Sequence, residues 1–326
     1  MKQFSLLIIN LICCCTFSRA QFKDSITNRI DSSYSNYRAY LSTKKSHPFI
    51  KLVEPFNLAG GRQAKNIVYS KIEKRKLLLD VFYPAENKNP QTAIIMIHGG
   101  GWRSGNRTQH YPLLQKLASL GYTCFAPEYR LSTEALFPAA VFDIKASIRW
   151  VRANAKEFNL DTARIVVMGF SAGGELAAFM ATTGNIPLFE GSGGNAKFPS
   201  HANALVDIDG TLSFVHPESG EANDEKKISA STMWFGYSKK QNLPLLTIAS
   251  PLTYANSNTP PTLFINSAVE RMHAGRNDYI KILSEHNIYT EVKEFENSPH
   301  SFCLFEPWFE PTVNAIDTFC KKIFAK

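Results

Sequence analysis

Residues 164–182 read RIVVMGFSAGGELAAFMAT: a near-continuous apolar β-rich run from Arg164 to Met168, polar only at Arg164, then Gly169-Phe170-Ser171-Ala172-Gly173-Gly174, then a helical pattern from Ala172 to Thr182. A run without polar alternation predicts a strand buried on both faces, as in a parallel sheet. Ser171 falls where strand becomes helix, in a G-x-S-x-G setting. So tight a turn tolerates only small flanking residues, and it leaves the serine Oγ projecting past the strand end with the next backbone N–H directed into the same space. An inert serine in a glycine-rich turn is the alternative reading.

Working outward, seven more β-rich runs occur: Ile67–Ile72, Leu77–Tyr83, Ala93–His98, Thr123–Ala126, Ala204–Ile208, Thr262–Asn266 and Tyr289–Phe295. Helical patterns at Tyr111–Leu120, Pro138–Phe158, Ala274–His286 and Pro307–Phe324 separate several of them. This alternation predicts an α/β fold, a mostly parallel eight-stranded sheet with helices on both faces. Two stretches break it, Gly184–His201 and Thr211–Pro261. The second, with a short helix expected around Ser229–Phe235, is read as an insertion (211–261) after the sixth strand, over the carboxyl edge of the sheet where ligands bind in such folds. Residues 21–62 are polar and lack sustained periodicity, which predicts an N-terminal arm ahead of a catalytic domain at 63–326.

A second glycine motif, His98-Gly99-Gly100-Gly101-Trp102, follows the strand Ala93–Ile97. Consecutive glycines let the backbone curl so that amide N–H groups face a developing alkoxide. Gly100 and Gly101, with Ala172, are the expected oxyanion hole. No Gly-Lys-Ser/Thr follows, and the spacing is wrong for a dinucleotide fingerprint, so phosphate-binding readings fail. His98 is expected to be structural. Pro299-His300-Ser301-Phe302 lies after the last strand, where a base would come in the chain order serine, acid, histidine. His47 is in the arm, His201 and His216 are in irregular segments, and His110, His273 and His286 lie in or beside expected helices. His300 is therefore the expected general base for Ser171.

On these motifs the chain resembles the α/β-hydrolase superfamily, and within it exported esterases with an H-G-G-G-W oxyanion loop, similar to bacterial feruloyl and acetyl carbohydrate esterases of the pectin acetylesterase type. The resemblance runs from about Ile67 to the C-terminus. It implies a serine esterase working through an acyl-enzyme, with no metal or organic cofactor. Family members commonly carry His-Gly-x-x-Asp after the seventh strand; here that stretch is Asn266-Ser267-Ala268-Val269-Glu270, different at each defined position. Glu270 keeps a carboxylate there and is the expected third member. Asp209, at the end of the sixth strand, and Asp278 remain open as alternatives.

For the substrate, acetyl or feruloyl esters of pectin or xylan are expected, with acetylated pectin slightly preferred. A small-molecule esterase, lipase or amide hydrolase is the alternative, followed by a non-catalytic binding module. Trp102, Trp308 and Arg276 are the expected substrate contacts, aromatic faces for sugar rings and a guanidinium for an acidic polysaccharide. Trp234, Phe235, Tyr237, Phe302, Phe305 and Phe309 are further aromatics near the expected cleft, and Arg271 and His273 crowd the loop beside Glu270. With 36 Lys+Arg against 28 Asp+Glu the formal charge is +8, which favours an acidic partner. The excess is spread along the chain, so nucleic-acid binding is not expected.

Residues 1–20 have a basic start, an apolar stretch and Ser18-Arg19-Ala20, which predicts a signal peptide and export, periplasmic or secreted. Cys13, Cys14 and Cys15 leave a lipid-anchored form open. No transmembrane segment is expected. Cys124, Cys303 and Cys320 then remain, an odd set without C-x-x-C pairing, so neither a disulfide framework nor a zinc site is expected. The sequon Asn106-Arg107-Thr108 is read as accidental.

Overall fold

The computed structural model describes residues 26–325 apart from 30, 59, 87–88, 185, 222–223 and 225–226. The expected leader at 1–20, with its three cysteines, lies outside the described residues. All eight expected strands form: β1 (Gly61–Ile72), β2 (Arg75–Pro84), β3 (Gln91–Ile97), β4 (Thr123–Pro127), β5 (Leu160–Phe170), β6 (Ala204–Ile208), β7 (Thr262–Asn266) and β8 (Thr290–Glu294). They lie in the order β1-β2-β4-β3-β5-β6-β7-β8. β2 is antiparallel to both neighbours, and every pairing from β4 to β8 is parallel. β1 begins earlier than its apolar residues suggest, because it is an edge strand whose first half is largely exposed and polar.

The helices are α1 (Asn36–Thr43), α2 (Tyr111–Ser119), α3 (Ala139–Ala153), α4 (Ala172–Thr182), α5 (Ala230–Phe235), α6 (Leu243–Ile248), α7 (Arg276–Glu285) and α8 (Phe309–Ile323). Alternate side chains of the central strands feed two separate cores. Ile95, Val167 and Leu205 pack with α3, α4 and α7 on one face; Ile94, Val166 and Val206 pack with α2 and α8 on the other. Burial on both faces is the physical cause of the unbroken apolar runs.

The N-terminal segment is more ordered than its sequence suggests. Ser35 caps α1 by accepting a hydrogen bond from Arg38 N at 3.2 Å. Lys51–Leu52 then pairs antiparallel with Phe305–Glu306, and Arg103 forms an ion pair with Asp31 at 3.0 Å. No residue of α1 is buried, so the helix has no apolar stripe for a periodicity argument to find. Among the described residues, no helix is long and apolar enough to cross a membrane.

Candidate functional site

The loops after β3, β5, β6 and β8 converge at the carboxyl end of the sheet. Ser171 sits between β5 and α4 with φ 57° and ψ −122°, outside the regions an L-residue ordinarily adopts. Packing around it enforces this backbone. A Cβ on Gly169 would lie 1.9 Å from Gly173 O, and one on Gly173 would lie 2.1 Å from Ile97 O. The amide of Ser171 donates to Ile208 O at 2.8 Å, which ties the turn to β6.

Ser171 Oγ lies 2.8 Å from His300 Nε2, and His300 Nδ1 lies 2.9 Å from Asp209 Oδ2. The His300 ring stacks on Phe170 with centroids 4.8 Å apart. Asp209 is fully buried at the end of β6 with φ 53°. Its Oδ1 accepts hydrogen bonds from Ser267 N at 2.8 Å and Asn266 Nδ2 at 3.4 Å, while His273 Nε2 stands 3.6 Å away. Burial pushes this carboxyl up, but His273, His300 and the Ser267 side chain outweigh it and hold it at about 2.

Glu270, the expected orienter, is not the group that meets His300. The chain leaving β7 winds into a single turn, Glu270–His273, that turns Glu270 out to solvent. Asp209 holds His300 Nδ1 instead, because β6 ends one residue before it and aims its side chain at the imidazole. Asp278 is exposed in the first turn of α7 and pairs with His216 at 3.3 Å. The sequence reading missed His273 as a neighbour of the acid; a histidine seven residues beyond β7 carries no signal of that contact.

The glycine loop is held from several sides. Gly99 N donates to Gln109 Oε1 at 2.7 Å, and Tyr129 Oη donates to His98 O at 2.9 Å. Gly100 has φ +121°, and a Cβ there would lie 2.2 Å from Ser104 O. Among the described residues no acceptor engages the N–H groups of Gly100, Gly101 or Ala172. His98 is buried and stacked on Tyr129 with centroids 4.4 Å apart; burial lowers it to about 4. It is neutral and structural near pH 7.

The expected substrate contacts lie elsewhere. Trp102 is buried, stacked on Trp234 with centroids 4.9 Å apart, and its Nε1–H donates to Glu175 Oε2 at 2.9 Å. Trp308 is covered by His47 and Phe49 of the N-terminal segment, at 6.0 and 5.8 Å between centroids. Arg276 is committed to Asn266 Oδ1 at 2.8 Å and to Glu294 Oε1 at 2.5 Å. It borders a cavity of about 370 Å³ that Glu270, Arg271 and His273 also line. Trp234, Phe235, Phe302, Phe305 and Phe309 are buried, so they are packing residues. The start of α5 does reach the site, since a Cβ on Gly101 would lie 2.9 Å from that of Ala230. Cys124, Cys303 and Cys320 are free and buried, and among the described residues no cluster of three or more His, Cys, Asp or Glu could hold a metal ion.

The chain is similar to known esterases. A family model described as BD-FAE matches residues 79–272. Esterase LipC of Mycobacterium tuberculosis is 28% identical over 76% of this chain and 62% of its own length. The chain spans less than two thirds of the length of the first curated relatives it matches. Among solved structures, a truncated carbohydrate esterase from gut microbiota superposes with a TM-score of 0.70 at 24% identity, covering 82% of this chain and all of that one. An esterase of the planctomycete Thermogutta terrifontis superposes with a TM-score of 0.65 at 25% identity, covering 84% of this chain and 96% of its own.

Proposed function

The chain belongs to the BD-FAE family, and from that premise we propose that it is an exported serine esterase that removes acetyl or feruloyl groups from plant cell-wall polysaccharide. The single observation that carries this reading is the file Ser171 Oγ, His300 Nε2 at 2.8 Å, His300 Nδ1, Asp209 Oδ2 at 2.9 Å. Those distances suit proton transfer from hydroxyl to imidazole while a buried carboxylate fixes the tautomer.

Ser171 Oγ attacks the ester carbonyl as His300 Nε2 takes its proton. The imidazolium that results is stabilised by Asp209, whose carboxyl stays ionised far below neutrality. The oxyanion is received by the N–H groups of Gly100, Gly101 and Ala172, which have no acceptor of their own among the described residues. His300 then protonates the departing alcohol. In the second half, water gives a proton to His300 Nε2 as it attacks the acyl-serine, and the acid leaves as His300 returns that proton to Ser171 Oγ.

Support for a carbohydrate substrate comes from the gut carbohydrate esterase to which the fold is similar and from the leader expected at residues 1–20. In this reading the insertion 211–261 and the arm 21–62 frame the cleft of the domain at 63–326. Labelling by a fluorophosphonate probe is expected for the native chain and not for Ser171→Ala. Acetate or ferulate release is expected from acylated xylan or pectin. Turnover of short synthetic esters with no release from any polysaccharide would sink the substrate class while leaving an esterase.

A further inference from the structure

Asn266, the last residue of β7, is 1% exposed and stands between two charges. Its Nδ2 donates to Asp209 Oδ1 at 3.4 Å, and its Oδ1 accepts from Arg276 Nη1 at 2.8 Å. The orientation of this amide follows from its neighbours. Turned by half a rotation, it would set its oxygen against the Asp209 carboxylate and its N–H groups against the guanidinium. Arg276 thus fixes one end of the amide, and the other end is delivered to the carboxyl that meets His300. Asp209 has left β6 with φ 53°, so its carboxyl is aimed by its hydrogen-bond partners rather than by the alternation of a strand.

Local energetics do not account for an arginine at position 276. The residue opens α7, where the N–H groups of the first turn make a positive end that disfavours a cation. Its ionic partner, Glu294 at 2.5 Å, is 53% exposed, and a solvent-screened pair of that kind contributes little. Asn266 is the buried partner. Because Asn266 and Glu294 lie opposite one another in the register of β7 and β8, the guanidinium spans both strand ends. Gly275, at φ +83°, turns the chain directly before α7 and brings Arg276 to them. Without Arg276, Asn266 Oδ1 would be a buried acceptor with no donor among the described residues, and the amide would turn away from Asp209 to find one.

We propose that Arg276 is a positioning residue for the ester-cleaving groups, acting through Asn266 on Asp209 and so on His300, rather than a contact for the substrate. The inference rests on the Ser171, His300, Asp209 reading above and deepens it. The loop after β7 supplies no acid to His300; it supplies the donors that hold one, Asn266 and Ser267, with His273 beside them at 3.6 Å.

The test is a double-mutant cycle on the full chain, with kcat for p-nitrophenyl acetate expressed per serine titrated to completion by a fluorophosphonate, so that any misfolded fraction drops out. Arg276→Met and Asn266→Ala are each expected to lower kcat roughly tenfold with KM within about twofold of native, less than the roughly 10²-fold that a 1 Å misplacement can cost. Combined, they should cost no more than the larger single loss, because both break one chain of contacts; independent effects would multiply to about a hundredfold. Arg276→Lys, which keeps a donor for Asn266 Oδ1, should restore most of the activity lost in Arg276→Met. A multiplicative double variant, a KM that rises while kcat is unchanged, or native kcat in Arg276→Met would each overturn the positioning role. Asp209→Asn is the reference. Native kcat in that variant would overturn the reading of Asp209 as the acid, whereas its collapse beside an unaffected Arg276→Met would overturn the role of Arg276 alone.

Discussion

Asp209 Oδ2 lies 2.9 Å from His300 Nδ1, so the carboxylate that meets the imidazole comes from the end of the sixth strand rather than from the loop after the seventh. Asp209→Asn is expected to lower kcat by roughly 10⁴-fold with the fold retained, because an amide in that place favours the wrong imidazole tautomer. Glu270→Gln should change kcat by less than about threefold, since exposed positions away from the reacting groups have small effects. Steady-state kinetics of the two variants on one synthetic ester decide the matter; a collapse in Glu270→Gln with Asp209→Asn active would reverse the assignment.

The same carboxyl should leave its mark on acid stability. Its value of about 2 lies below the ordinary 3.8, so the folded state favours the ionised form. That stabilisation is complete above about pH 4 and is lost as pH falls from 4 toward 2, a difference on the order of 2 kcal/mol. Urea unfolding at pH 5, 4 and 3 should show the native chain losing stability more steeply than Asp209→Asn. Parallel slopes would mean that Asp209 is not held ionised.

The fold was more legible in the sequence than the site was. Strands β3 to β7 sit inside a sheet covered on both faces, so their central residues are mostly apolar without alternation and stand out from the segments between them. Ser171 and the 98–102 loop were legible because a Cβ at the glycines around them, Gly99, Gly100, Gly169 and Gly173, would collide with neighbouring backbone, which ties chemistry to sequence. The acid carries no such mark. Glu270 and Asp209 each follow a strand end, and the choice is made by the turn at Glu270–His273 and by the Ser267 and Asn266 donors, all tertiary. Aromatic residues misled for a related reason: Trp102 and Trp308 lie next in sequence to functional residues or a helix start, but their side chains point into packing. Helix α1 was invisible because its residues pack too loosely to need apolar periodicity.

Gly173→Ala should be far more damaging than its single methyl suggests. The new Cβ would lie 2.1 Å from Ile97 O and 2.6 Å from His98 O, backbone atoms fixed by the central sheet. A loss of about 4 kcal/mol or more is expected, in the range of severe core substitutions. Gly194→Ala serves as the control: at φ +77° with nothing within 4 Å of its Cβ, it should cost only about 1 kcal/mol. Denaturant midpoints of the two variants give the comparison, and equal midpoints would contradict the packing around Ser171.

Trp102 Nε1 is the one side-chain donor to the buried carboxyl of Glu175 among the described residues, and Glu175 Oε1 has no partner. Burial and then the nearby Asp207 push that carboxyl well above its usual range, against the pull of the indole N–H. Ionising it therefore costs stability, a penalty absent below about pH 4.5 that grows as pH rises. Glu175→Gln keeps an acceptor for the indole and removes the charge, so its Tm should exceed that of the native chain at pH 8 and match it near pH 4. Trp102→Phe takes the donor away and should cost about 1–3 kcal/mol at either pH. If Glu175→Gln is instead less stable at pH 8 than the native chain, the carboxylate is ionised and held by groups other than the indole, and the link between the glycine loop and α4 is electrostatic rather than a neutral hydrogen bond.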